Sequence, residues 1–158
     1  MGLDMYLSLV KRTYKSSFDC GTGLYPEEFK EFEDEISSRN FRSVEVETRC
    51  QVGYWRKANA IHKWFVDKCA NGVDECQKIY VSKDKLQELL TTCKDVEQNH
   101  NLAEELLPTS KGFFFGGVEY NDWYFEDLKY TIDLIEKVLK FFDEHKSEDY
   151  RVEYEASW

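Results

Sequence analysis

The chain has 158 residues, of which 42% are hydrophobic, so it is long enough to bury one core and is not disordered over most of its length. Acidic residues number 31 against 21 Lys and Arg, and the formal net charge of -10 argues against sequence-independent binding to DNA or RNA. No apolar run reaches the roughly 20 residues that span a bilayer, which argues against a membrane protein. The first residues carry no signal-peptide pattern, so we expect a cytoplasmic location and reduced cysteines.

The chain begins with two predicted strands separated by an insertion. Alternating apolar residues predict the first strand over residues 4–14. Residues 15–40 are expected to form a loop and a short acidic helix over 27–38, at the periphery of a single domain that comprises residues 1–158. From Val44 to Val52, apolar or small side chains alternate with charged and polar ones, which predicts a strand with one buried and one charged face.

A basic and aromatic run follows this strand, inside a chain that is otherwise acidic. It extends from Gly53 to Val66 and reads GYWRKANAIHKWFV. Its apolar spacing becomes helical, so a helix is predicted from Trp55 to about Asn71, where the pair Asn71-Gly72 is typical of a helix end. The run therefore joins the end of a strand to the start of a helix.

The later patterns predict an alternation of short strands and helices. In chain order they are a strand over 77–82, a helix after Ser82, a short helical segment within 99–108, an aromatic strand or loop over 112–117, the longest helix over 123–145 and a polar edge strand over 149–157. Ser82 is expected to cap one helix, and Asn121 or Asp122 the longest one. This order predicts an α+β fold, with a small, mainly antiparallel sheet packed against two to three helices.

The junction of strand and helix carries residues that suit an anionic aromatic ligand such as a nucleotide. Backbone N–H groups at a helix start and the helix dipole attract anions. Arg56, Lys57 and Lys63 add full positive charges for phosphate, and Trp55 offers a stacking face for a base. We therefore expect a ligand site at this junction.

Two polar residues of the same run are expected to give selectivity. Asn59 and His62 share a flank of the predicted helix, and an amide and an imidazole can recognise a base edge or a ribose hydroxyl. An ordinary helix is the alternative: Trp64 and Phe65 are then core residues, His62 is a hydrogen-bonded boundary residue, and Arg56 pairs with an acidic residue of the preceding strand.

A second cluster of aromatic residues lies before the longest predicted helix. Three successive phenylalanines cannot all face one side of a strand, and Gly116-Gly117 permits a close backbone approach. We expect Phe115, Tyr120 and Trp123 to form an aromatic wall of the ligand site or an oligomer interface. The alternative is a hydrophobic hairpin that packs under the long helix.

Catalytic and metal-binding motifs are absent from the sequence. The three histidines form no metal-ligand pattern, the five cysteines form no CxxC pair, and no nucleophile elbow or phosphate-binding glycine loop is present. We therefore expect no metal and no cofactor, and an enzyme has no support. The acidic residues between Glu27 and Glu35 could imitate nucleic-acid phosphate, although such charge runs are usually solvated faces.

Several long motifs resemble a family of small proteins of tailed phages and prophages. They are MGLDMYL at residues 1–7, YWRKANAIHKWF at 54–65, LLP at 106–108, GFFFG at 112–116, and Tyr120, Trp123, Tyr124, Asp127 and Leu128. The resemblance covers most of the chain and is loosest over residues 15–44. To our knowledge the family has no firmly assigned activity, so the resemblance implies a viral accessory protein in bacterial cytoplasm.

This context leads to a functional hypothesis. Small phage proteins often counter host defence, and one class sequesters a nucleotide immune signal without cleaving it. We expect a homo-oligomer that binds a nucleotide-like small molecule, with no membrane association and no non-specific nucleic-acid binding. The alternatives are an acidic inhibitor of a host defence nuclease or other host protein, and a nucleotide-processing enzyme that uses His62.

Overall fold

The structure is a computed structural model that describes residues 2–15, 44–146 and 148–158, with the backbone alone for residues 13–15, 44 and 45. In these residues the elements are β1 (Asp4–Lys15), β2 (Val44–Arg56), α1 (Asn59–Cys69), β3 (Ile79–Val81), α2 (Lys83–Gln98), a 3₁₀ turn (His100–Leu102), α3 (Ala103–Leu106), α4 (Asp122–Glu144) and β4 (Tyr150–Ser157). The predicted α+β fold is confirmed. The predicted insertion at 15–40 lies outside the described residues, apart from Lys15 at the end of β1.

The strands form one antiparallel sheet in the order β2-β1-β4-β3. The prediction of an edge strand at residues 149–157 is therefore wrong, since β4 lies between β1 and β3. Ion pairs explain how so polar a strand occupies the interior of a sheet. Arg151 contacts Glu47 of β2 at 2.5 Å and Glu153 of its own strand at 2.6 Å, so the polar side chains satisfy one another.

A β-bulge interrupts the pairing of β1 with β2. Leu7 lies opposite Gly53, but the next residue, Ser8, lies opposite Gln51, so Val52 is an extra residue in β2. Successive side chains of a strand point to opposite faces, and one extra residue moves every later side chain to the other face. The alternation predicted from Val44 to Val52 therefore does not continue through the end of the strand.

The bulge places Trp55 on the face of the sheet that packs against the helices. Trp55 lies opposite Met5 and Cys50 lies opposite Leu9, so these four side chains share one face. Trp55 is buried, whereas Cys50 and Thr48 are exposed. The expectation that the whole alternating face from Val44 to Val52 is buried is therefore wrong.

Close packing between the sheet and α4 explains which end of β2 is covered. A Cβ atom built on Gly53 would lie 2.3 Å from the Cδ2 atom of Leu134, a contact far inside van der Waals distance. The helix thus lies directly on the backbone of β2 at Gly53. This end of the strand is buried by α4, and the end that carries Thr48 and Cys50 is not.

The helices follow the predicted caps and apolar faces, with one exception at α1. The Ser82 hydroxyl accepts a hydrogen bond from Lys85 N at 3.2 Å, and the Asn121 side chain caps α4 by accepting from the N–H groups of residues 123 and 124. The N-cap of α1 is Ala58, which offers no side-chain cap. The start predicted at Trp55 is also wrong, because β2 continues to Arg56 and α1 begins at Asn59.

One hydrophobic core joins the sheet to the three longer helices. Its fully buried members include Leu3, Met5, Leu7, Phe65, Leu86, Leu89, Cys93, Leu128, Ile135 and Tyr154. The ring of Phe65 stacks on that of Tyr154 with centroids 4.1 Å apart, which connects α1 to β4. Among the described residues, no helix combines the length and apolarity needed to cross a membrane.

Candidate ligand-binding cavity

A cavity of about 290 Å³ opens where the β2–α1 connection, the loop before α4 and the first turns of α4 meet. Four of the side chains predicted from the sequence line it, namely Arg56, Lys57, Asn59 and Trp123. Its volume is close to the lower end of the roughly 300–1,000 Å³ that is typical of ligand pockets. The cavity therefore has room for about one nucleotide unit rather than for a polymer.

Lys57 turns the chain from β2 into α1. Its φ of 63° lies in the left-handed region, which costs a non-glycine residue roughly 1–2 kcal/mol. The Lys57 N–H donates to the carbonyl of Leu3 at 2.8 Å and prolongs the sheet hydrogen bonds by one residue. The chain thus carries a cation at a position where glycine would be less strained.

Arg56 and Lys57 have no carboxylate partner in the part of the chain that the structure describes. Most other described cations do have one: Lys63, for example, contacts Asp67, and Arg49 contacts Glu153. The alternative in which Arg56 pairs with an acidic residue of β2 is therefore not observed. Arg56 and Lys57, without an ion-pair partner among the described residues, concentrate positive charge at this wall, whereas the carboxylates Glu119 and Asp127 line other parts of the cavity.

The start of α1 adds further hydrogen-bond donors at the same wall. Ala60 and Ile61, in the first turn of α1, line the cavity. N–H groups in the first turn of a helix have no intrahelical partner, and α1 has neither a side-chain cap nor an acidic residue in this turn. These groups are therefore available to an anion beside Arg56 and Lys57.

The Asn59 side chain holds the loop before α4 in place through hydrogen bonds, so its amide is not free to bind a ligand. Its side-chain amide donates to the carbonyls of Phe115 at 3.0 Å and Gly117 at 2.7 Å, and its Oδ1 atom accepts from Ser110 N at 2.9 Å. These three bonds use the amide almost completely. The predicted role in base selectivity is therefore replaced by a structural one, which is to hold the loop against α1.

His62 does not line the cavity. Its Nδ1 atom lies 2.8 Å from the Tyr154 hydroxyl and its Nε2 atom lies 3.0 Å from an Asp74 carboxylate oxygen, and the ring is 2% exposed. Both ring nitrogens are engaged inside the protein. The alternative in which His62 is hydrogen-bonded within the protein is confirmed, although the ring lies in the core and not at its boundary. The geometry leaves no open position for a general acid or base.

Trp55 is buried and cannot stack on a ligand, so its predicted role is wrong. The indole is 2% exposed, and its Nε1–H donates to the Thr131 hydroxyl at 2.9 Å. Thr131 in turn donates to the backbone carbonyl of Asp127 at 2.6 Å. The physical reason is the bulge in β2, which turns Trp55 towards α4.

Three further predicted residues do not line this cavity. Lys63 is paired with Asp67, and both line a different cavity of about 330 Å³ beside α1. The ring of Phe115 packs edge-on against His62 with centroids 5.2 Å apart. The Tyr120 ring is 37% exposed and packs edge-on against that of Tyr124, with centroids 5.0 Å apart.

Trp123 and Asp127 form the α4 side of the cavity. Trp123 is 76% exposed, so its indole face is free to stack. Asp127 lies one helical turn later on the same side, and it is not among the ligand-binding residues predicted from the sequence. The sequence pattern that could have indicated Asp127 is a carboxylate that follows Trp123 by four residues and directly precedes the buried Leu128.

The Asp127 carboxyl has an unusual environment. Burial, together with the nearby charge of Glu126, raises its pKa from 3.8 to about 6. No described side chain donates a hydrogen bond to this carboxyl or pairs with it. A carboxyl of this kind is poised to accept hydrogen bonds from a ligand.

Replacing Asp127 with Asn is expected to stabilise the protein by about 1 kcal/mol near neutral pH, after allowance for solvent screening at a half-buried site. A raised carboxyl pKa means that ionisation disfavours folding, so the gain is complete above about pH 6 and declines as the pH falls towards 3.8. Urea denaturation at about pH 7.5 and about pH 5 measures this change. Asp133→Asn, an exposed change on the same helix, is the control and is expected to alter stability by less than about 0.5 kcal/mol. Equal gains for both variants would contradict the prediction.

The sequence also offers an acidic patch as a candidate surface, and no metal site is expected from it. The acidic patch from Glu27 to Glu35 lies outside the described residues. Within them, no group of three or more His, Cys, Asp or Glu side chains is arranged to hold a metal ion.

Comparisons with protein-family models, with curated proteins and with solved structures found no match to this chain.

Proposed function

We propose that the protein is a phage accessory protein that binds a nucleotide-derived signalling molecule and sequesters it without catalysis. One observation carries the proposal: Arg56 and Lys57, without carboxylate partners among the described residues, flank the uncapped start of α1 at a cavity that also exposes Trp123. Cations and helix N–H groups bind phosphate, and an exposed indole stacks on a base. The phage context comes from the sequence resemblance alone.

The expected affinity follows from these contacts. A stacked base contributes about 1–3 kcal/mol and a hydrogen bond to a charged group about 1.5–3 kcal/mol. One indole and two cations then supply roughly 4–9 kcal/mol, which corresponds to millimolar to micromolar binding of a single nucleotide. Efficient sequestration needs more contacts, and a second copy of the chain that closes the cavity is the source we propose for them.

A panel of cyclic and linear nucleotides tests the proposal. The panel is screened by the rise in melting temperature, and the Kd of each binder is then measured by calorimetry. The protein is heat-denatured afterwards and the released ligand is identified by mass spectrometry. Intact ligand supports sequestration, whereas altered ligand indicates an enzyme. If no nucleotide raises the melting temperature, an interaction with a host protein becomes the leading explanation.

The double variant Arg56→Gln, Lys57→Gln is expected to weaken nucleotide binding about 100-fold, because it removes two charge-assisted hydrogen bonds. The control is Lys137→Gln with Lys146→Gln, which lowers the net charge equally but changes exposed residues away from the cavity. Calorimetry of both variants measures the difference. An equal loss in the two variants would assign the effect to net charge and not to the cavity.

A further inference from the structure

Phosphate binding and base stacking do not explain the two carboxylates that line the cavity, Glu119 and Asp127. Asp127 has no hydrogen-bonding or ion-pair partner among the described side chains, and it is the one on the helix that carries Trp123. It lies at the cavity wall on α4, on the same side of the helix as the exposed Trp123 indole. Arg56 and Lys57 lie on a different wall, formed by the β2–α1 connection. A ligand that stacks on Trp123 with its phosphate towards the cations therefore presents the edge of its base to Asp127.

The chemistry of a carboxylate restricts which base edge it can bind. An ionised carboxylate only accepts hydrogen bonds and offers two oxygens side by side. Guanine presents two adjacent donors on its pairing edge, the N1–H and the N2 amino group. Adenine presents one donor, the N6 amino group, next to the lone pair of N1, which repels a carboxylate oxygen.

We propose that Asp127 makes this cavity selective for guanine nucleotides, with the carboxylate accepting from N1–H and N2–H of a base stacked on Trp123. This inference rests on the proposed function, since it names the ligand class of the same site. It adds a specificity-determining residue on α4 to the phosphate-binding residues of the β2–α1 connection.

The other ionisable groups around Asp127 set the expected pH dependence. They are Glu126 on its own helix, Tyr124 one turn earlier, Glu119 in the loop before α4, and Arg56 and Lys57 on the facing wall. The raised pKa of Asp127, about 6, means that mild acidification protonates this carboxyl. A protonated carboxyl has one donor and one acceptor, which matches adenine and no longer matches guanine.

The experiment compares cyclic guanosine, inosine and adenosine monophosphates by calorimetry. Their phosphodiester does not titrate in this range, so a pH effect reports on the protein. At about pH 7.5 we expect the guanosine ligand to bind at least tenfold more tightly than the adenosine ligand. The inosine ligand, which keeps N1–H but lacks the N2 amino group, is expected between them.

Lowering the pH to about 5.5 is expected to weaken binding of the guanosine ligand about fourfold and to strengthen binding of the adenosine ligand. Asp127→Asn, whose amide has one donor and one acceptor, is expected to reverse the preference towards adenosine and to remove the pH dependence. Circular dichroism and the melting temperature of this variant establish that it is folded.

The outcomes distinguish the failure of guanine selection from the failure of nucleotide binding. If the adenosine ligand binds as tightly as the guanosine ligand at about pH 7.5, or if Asp127→Asn leaves the ratio unchanged, guanine selection is overturned and nucleotide binding stands. If none of the three ligands binds but a nucleotide without guanine does, guanine selection is also overturned. If no nucleotide binds at all, both proposals are overturned.

Discussion

Replacing Asn59 with Asp is expected to destabilise the protein by about 3–5 kcal/mol, because the change places an unpaired charge in a buried site. Asn59 is 4% exposed, and its amide nitrogen donates to the carbonyls of Phe115 and Gly117 at 3.0 and 2.7 Å. A carboxylate oxygen at this position would face two carbonyl oxygens with no hydrogen between them. Both bonds would be lost and the loop that forms one wall of the cavity would be released from α1.

Asn121→Asp is the matched control. It is the same substitution at a site where the side chain must accept hydrogen bonds, whereas the Asn59 amide nitrogen must donate them. The Oδ1 atom of Asn121 only accepts hydrogen bonds, from Trp123 N and Tyr124 N at the start of α4. Asp caps a helix as well as Asn does, so its effect is expected to stay within about 0.5 kcal/mol. Urea denaturation followed by circular dichroism gives both free energies of unfolding. Similar values for the two variants would show that Asn59 does not hold the loop.

The second large effect is expected at Trp55. Trp55→Ala is expected to cost about 3–5 kcal/mol, because it removes a large buried side chain between β2 and α4. It also removes the donor of the hydrogen bond to Thr131, and thus the link through Thr131 to the backbone of Asp127. Thermal and urea denaturation measure the loss of stability.

Trp123→Ala is the matched control. We expect it to leave the stability almost unchanged and to weaken nucleotide binding. The indole is 76% exposed, so stability should change by less than about 0.5 kcal/mol. Loss of a stacked base should weaken nucleotide binding by about 1–3 kcal/mol, or roughly 5- to 150-fold. Trp55→Phe, which preserves most of the buried volume, provides a folded variant for the same assay. If it weakens binding as much as Trp123→Ala does, the loss in Trp123→Ala cannot be assigned to a base stacked on Trp123.

Local sequence signals predicted most of the elements because their causes are local. Ser82 and Asn121 each cap the helix that begins at the next residue, and both caps are read directly from the chain. Alternation predicted β1, and the apolar stripe of α4 predicted which of its sides is buried. Such features depend on residues within one or two turns of each other.

The candidate site was predicted only in part, because several of the predicted polar side chains form hydrogen bonds with residues that are distant in sequence. Arg56, Lys57 and Trp123 line the cavity. The Asn59 amide, in contrast, donates hydrogen bonds to backbone carbonyls more than 50 residues later in the chain. His62 is engaged by Tyr154, which lies 92 residues later. Nothing within the run from Gly53 to Val66 indicates that these polar groups already have protein partners.

The sequence by itself determined the α+β class, the helix caps, the basic run at the junction and the excess of acidic residues elsewhere. Tertiary structure alone decided which side chains of that run are free. A single extra residue in β2, Val52, moves the side chains that follow it to the opposite face of the sheet. Trp55 therefore points into the core, while Arg56 remains exposed. Pairing with β1 creates the bulge, and the alternation of β2 does not encode it. The cavity likewise depends on the loop before α4 being held against α1, which only the folded chain achieves.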